Sequence, residues 1–148
     1  MIAACLVAAT AVMLVACGDT EEKNDYVDAV NNVTSTLNTG LTDVSAQANA
    51  ADSPDQIADV FSQFATQLDT ATKDLDEITP PEGVDDLHEK LVGELEELTA
   101  AANTAADGVS AGGASGVVTT AQQFVAEATR ISAEADATIS QINSELQN

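Results

Sequence analysis

Positive charge is nearly missing from this sequence. Lys23, Lys73, Lys90 and Arg130 are the only fixed cations, set against 25 Asp and Glu, for a formal net charge of −21 at pH 7. A chain this acidic has no basic patch with which to neutralise phosphates, which excludes nucleic-acid binding. It also disfavours direct docking on an anionic bilayer. Cysteine is confined to Cys5 and Cys17, so everything beyond residue 17 lacks a thiol, a disulfide and a cysteine metal site. Histidine occurs once, as His88. Aromatic residues are three Phe and one Tyr, with no Trp. A core built from so few large side chains buries little area per residue, so modest stability is expected, with fraying of the first helix.

The lone histidine removes several chemistries. His88-Glu89-Lys90-Leu91-Val92 carries the first half of a zincin HExxH motif, but Val92 stands where the second histidine is required. Asp85 lies three residues before His88, as in the Glu-x-x-His of di-iron bundles. Such sites need two of these motifs and two further carboxylates. No G-x-S-x-G elbow is present, and the Gly-rich stretch Val109–Gly113 lacks a P-loop lysine. No catalytic residue, no metal site and no cofactor is assigned, and an enzyme is not expected. The expected role of His88 is structural, at the end of a helical bundle, with its ring satisfied by Asp85 or a backbone carbonyl.

What is present is an uncharged opening, MIAACLVAATAVMLVACGDTEE, that turns acidic just after Cys17. A membrane span needs about 20 apolar residues, and this run is marginal and lacks flanking Lys or Arg. A secretory signal fits better, although its start lacks the usual basic residue. Leu14-Val15-Ala16-Cys17 has the form of a bacterial lipobox: a small residue fits the peptidase pocket, and the cysteine sulfur accepts a diacylglycerol. Two or three acyl chains of palmitate type, at about 0.8 kcal/mol per buried CH₂, hold a protein stably where one does not. The expected organisation is a signal peptide over 1–16, a lipidated N-terminus and short tether over 17–23, and an acidic bundle over 24–148.

The remaining apolar residues follow a 4-3 spacing, the mark of helices packed along a seam. The first helix is expected from Asn24 to Asn49, on Tyr26, Val30, Val33, Leu37, Gly40/Leu41, Val44 and Ala48. The second opens on Ser53-Pro54-Asp55-Gln56, a capping box with Pro at the first helical position. Its stripe is Ile57, Phe61, Phe64, Leu68, Ala71, Leu75 and Ile78, and Thr79-Pro80-Pro81 stops it. The third, from about Gly83, carries Val84, His88, Leu91, Leu95, Leu98, Ala102 and Ala105, widened by Leu87 and Val92. Asp107-Gly108 is expected to end it in a flexible Gly/Ser/Ala loop. The fourth runs from about Ser115 to Glu145 on Val117, Ala121, Phe124, Ala128, Ile131 and Ala135, then, after a phase shift, Ile139, Ile142 and Leu146. These elements predict an all-α, antiparallel up-down four-helix bundle.

The densest acidic region flanks the Pro-Pro turn, with Asp74, Asp76 and Glu77 before it and Glu82, Asp85, Asp86 and Glu89 after it. It has no EF-hand spacing, so any calcium site there would be weak. The segment LDEITPPEGVDDLHEKLVGEL resembles a group of small uncharacterised bacterial lipoproteins of actinobacterial type. In these an aliphatic pair, a Pro-Pro turn and a Leu-His helix recur, here Leu75, Ile78, Pro80, Pro81, Val84, Leu87, His88 and Leu91. The resemblance covers the two central helices and implies a helical lipoprotein. It brings no activity, and adds that His88 serves in packing or partner contact at the turn.

The expected function is that of a non-catalytic structural or partner-binding module on the extracytoplasmic face of the cell membrane. It is anchored through Cys17 and meets an unidentified envelope protein, with His88, Asp85, Asp86 and Glu89 as candidate contacts. The alternative is weak binding of a divalent cation or small ligand at the acidic Pro-Pro end.

Overall fold

The computed structural model describes residues 20–147. The signal segment, the lipobox residues Leu14, Val15 and Ala16, and Cys17 lie outside the described residues. Among the described residues there are helices and no strand. Helix α1 spans Thr20–Ala50 and α2 spans Pro54–Asp76. The helical run Asp85–Leu146 is broken at Gly113, whose φ of 52° and ψ of −151° are not helical, giving α3 (85–112) and α4 (114–146). No described helix is long and apolar enough to cross a membrane.

Helix α1 takes in residues 20–23, which the sequence reading placed in the tether. Acidic residues in its first turn favour this, because they complement the positive end of the helix dipole. Its seam is as expected: Tyr26, Val30, Val33, Leu37 and Val44 are all buried. Helix α2 is capped by Ser53, whose hydroxyl accepts from the Gln56 N–H at 3.3 Å. The return bond of the box lands one residue early, with Gln56 Oε1 accepting from the Asp52 N–H at 2.7 Å. Lys73, with its i−4 partner Asp69, sits in the last turn of α2, at the negative end of the dipole.

The connection from α2 to α3 is tightly built. The Val84 N–H donates to the Pro81 carbonyl at 3.2 Å, closing a four-residue turn with Gly83 at φ +94° in its third position. That position of a type II turn requires positive φ, which glycine alone takes without cost. Val84 is fully buried beneath the turn, and the His88 N–H donates to its carbonyl at 2.8 Å to start α3.

The expected loop after Gly108 is instead helix. Helix α3 continues to residue 112 with Val109 fully buried, and the helical run is broken at Gly113 alone. The flanking glycines serve a different purpose from flexibility. A Cβ on Gly108 would lie 3.0 Å from Thr120 Oγ1, and one on Gly116 would lie 3.3 Å from the Gly108 carbonyl oxygen. A Cβ at either position would be a tight contact, so bare backbone eases the approach of α3 and α4. The local helix penalty of glycine, about 1 kcal/mol, is offset by this packing.

The core runs the length of the helices. Phe124 of α4 meets Phe61 and Phe64 of α2 edge-on, with ring centroids 4.9 and 6.2 Å apart. A Cβ on Gly40 would come within 2.5 Å of the Phe64 ring, so α1 presses on that ring through a bare backbone. The seam of α4 shows no phase shift: Ala128, Ile131, Ala135, Thr138 and Ile142 are buried in unbroken 4-3 order, while Ile139 is only partly buried. Thr138 stands in that register and is fully buried although its side chain is polar.

Candidate functional site

The Pro-Pro end gathers most of the candidate residues. His88 is the only imidazole, and its position one turn into α3 turns it inward, leaving it 5 % exposed. Its partner is neither Asp85 nor a carbonyl. It is Tyr26, from the second turn of α1, whose hydroxyl oxygen lies 3.2 Å from His88 Nδ1. The rings are tilted at 52° with centroids 5.7 Å apart. Tyr26 is fully buried, and burial pushes its phenol up to about 12, so it stays protonated. The imidazole tautomer sets which of the two groups donates.

Burial also lowers the His88 pKa, and this outweighs the opposing carboxylates of Asp76, Glu89 and Asp85, which raise it. His88 is therefore neutral at pH 7. Asp85 and Glu89 are exposed and line a hollow of about 360 Å³ with Asp76, Glu77, Pro80 and His88. Asp86, also exposed, does not line it. The structure thus brings together three of the four candidates, His88, Asp85 and Glu89, and adds Asp76 and Tyr26. Among the described residues, no group of three or more His, Cys, Asp or Glu is placed to hold a metal ion. A neutral imidazole whose Nδ1 is held by a phenol clamps α1 to α3.

A second polar cluster lies on the α3–α4 seam and was not anticipated. Glu94 is 7 % exposed and Thr138 is fully buried. The Thr138 hydroxyl has two acceptors within reach, Glu94 Oε1 at 3.0 Å and the Glu134 carbonyl at 3.1 Å. One proton serves only one of them at a time. Lys90 Nζ donates to Thr138 Oγ1 at 2.9 Å and lies 3.4 Å from Glu94 Oε1. Glu94 Oε2 is buried with no hydrogen-bond partner. The only available sequence signal was Thr138 standing in seam register; Glu94 reads as one more acid in GELEEL.

Arg130, partly exposed on α4, ties α3 to α4 on the outside. Its guanidinium meets Glu97 at 3.0 Å, and Glu127 and Glu134 at 2.6 Å each. The hydrogen bond from Arg130 lowers the Glu127 pKa, and the three carboxylates raise that of Arg130. A groove of about 550 Å³ between α1 and α2 has a mostly apolar floor that includes Val33, Leu75 and Ile78, edged by polar residues such as Ser35, Thr66 and Gln67. It contains no acid–base pair.

No family model matches the chain, and no curated protein or solved structure matches it significantly.

Proposed function

We propose that this protein is a lipoprotein of the outer face of the cell membrane, held by acyl chains on Cys17, and that it acts without catalysis as a structural or partner-binding module. The observation that carries this reading is the junction at Cys17. An uncharged segment ending in Leu14-Val15-Ala16-Cys17 gives way within three residues to the acidic helix α1. An N-terminal signal followed so closely by a folded acidic body leaves Cys17 as the natural point of attachment. The likeness of the central segment to actinobacterial-type lipoproteins points the same way.

The helices pack, in this reading, as an up-down-up-down antiparallel bundle. The cross-helix pairs support it: Lys90 and Glu94 meet Thr138, Glu97 meets Arg130, and Gly108 meets Thr120, so the partner number falls as the α3 number rises. The bundle offers a partner a mostly polar, acidic surface. Mass spectrometry of the mature N-terminus tests the anchor: a diacylglyceryl-modified Cys17 is expected, and a Cys17→Ala protein that still sediments with membranes counts against it. Crosslinking in intact cells tests the role, and recovery of no protein beyond a detached control would refute partner binding.

The hollow beside His88 favours a second reading, weak binding of a divalent cation or small ligand. A thermal-shift panel with magnesium and calcium separates the two. Stabilisation that vanishes in an Asp85→Asn/Glu89→Gln protein supports the second, and indifference to every ion removes it.

A further inference from the structure

The groove between α1 and α2 lies between two points at which α1 is fixed. At one, Gly40 brings the α1 backbone against the Phe64 ring, with Gln67 Oε1 3.7 Å from where a Cβ would stand. At the other, Tyr26 ties α1 to His88 of α3 rather than to α2. These points are about 21 Å apart along α1, at 1.5 Å per residue. The α1 residues that line the groove, from Ala29 to Thr39, all lie between them. On α2 the lined stretch runs from Thr66 to Ile78, about 18 Å. The small Ala29 and Ala71 would let two free helices close up. With α1 fixed on either side, a hollow of about 550 Å³ remains. Small-molecule sites typically have volumes of about 300–1,000 Å³ and are largely formed before the ligand arrives.

The lining selects the chemistry of an occupant. Val33 and Leu75 are buried in the floor, and Ile78 is half-buried near the Pro-Pro turn. An apolar body fits along this floor. The Thr66 and Thr70 hydroxyls on the rim already donate to the carbonyls of Ser62 and Thr66, at 2.9 and 3.0 Å. Only their lone pairs are left for a ligand, so they favour a donor. Asp74, exposed and one turn before Ile78, is the one acidic side chain of the lining, which contains no Lys, Arg or His. Among the described residues it makes no ion pair, and its neighbour Lys73 is taken by Asp69 at 2.6 Å. The net charge of −21 draws cations towards the molecule and repels anions.

We propose that this groove binds an elongated amphiphile with an amine head, its apolar body laid along Val33, Ala71 and Leu75 and its ammonium group against Asp74. The site uses neither Cys17 nor the hollow beside His88, so it stands apart from both readings above.

Octylamine, 1-octanol and octanoate share one alkyl chain and differ in the head. Each is titrated at pH 7 into the full chain carrying Cys17→Ala, and amide chemical shifts are followed. Octylamine should shift the amides of residues 29–39 and 66–78 saturably. 1-Octanol should shift the same amides with several-fold weaker affinity, and octanoate should shift none. Asp74→Asn should bring octylamine down to the level of 1-octanol. Asp43→Asn, the same change at an exposed position outside the lining, should leave it unaltered. Ala71→Phe fills the hollow and should abolish binding of amine and alcohol alike. Thr70→Phe, at an exposed rim position, replaces it if that protein loses helix content. Octylamine shifts that spread over the acidic surface without saturating would overturn the proposal. So would octanoate binding as tight as octylamine, or an affinity for octylamine undiminished in Asp74→Asn or in the filled groove.

Discussion

At the Pro-Pro end, residues 77–84 carry the chain from α2 to α3 over a buried Val84, and a polar pair, Tyr26 with His88, ties α1 to α3. At the Gly113 end, one non-helical residue separates α3 from α4, and the helices are held by three phenylalanines and bare glycine backbone. Both ends bury apolar surface, but only the first contains titratable groups in its core. The Gly113 end relies on shape, whose energy hardly depends on pH. The Pro-Pro end relies on protonation states that burial selects, so it alone should respond to pH.

The comparison breaks most heavily at Phe124. Phe124→Ala removes the ring shared by Phe61 and Phe64 and should lower unfolding free energy by about 3–5 kcal/mol in denaturant titration. The loss should be the same at pH 7 and pH 5.5. Gly113→Ala comes next. Its φ and ψ lie in a region open essentially to glycine, and an alanine there should cost about 1–3 kcal/mol, although its Cβ would touch nothing within 4 Å.

Tyr26→Phe is the counterpart at the other end. It leaves His88 Nδ1 without its hydrogen-bond partner and should cost about 1–3 kcal/mol at pH 7. The pH response follows from the direction of the shift. His88 titrates in the folded state below its ordinary 6.5, so between those two values the unfolded chain binds more protons. Stability is therefore fully present above 6.5 and is lost as pH falls through the lowered value. Tyr26 has the opposite sense: its phenol is raised from 10.0 to about 12, so stability is lost as pH rises across that interval. Amide exchange should show protection falling around Tyr26 and His88 between pH 7 and 5, with less change around Phe124. A His88→Gln protein should lose that difference.

Glu94→Leu tests the seam between the ends and should change stability in the other direction. Replacing a buried carboxylate that has one unpartnered oxygen is expected to be neutral or to stabilise by about 1 kcal/mol, since Lys90 can turn to solvent. Arg130→Ala should have the smallest effect, a slight drop in melting temperature that disappears as salt screens its exposed partners.

The helical seams were legible because the 4-3 spacing of Val30, Leu37, Phe61, Leu68, Leu91 and Leu98 records burial directly. The start of α2 was legible because Ser53, Pro54 and Gln56 act within one turn. The continuation of α3 past Gly108 was not, because glycine disfavours helix locally while the approach of Thr120 and Gly116 rewards it only after folding. The Glu94–Thr138 contact was hidden for a related reason. Polar residues signal surface unless the opposing helix is known.

The sequence by itself determined an all-helical acidic chain with a lone inward histidine, since periodicity, capping and charge are local properties. Only the tertiary structure decided which partner that histidine takes, since Tyr26 lies on another helix, and which glycine breaks the helical run. It also put the Pro-Pro turn beside the first turns of α1. Those outcomes depend on distances between residues far apart in the chain, which no local pattern encodes.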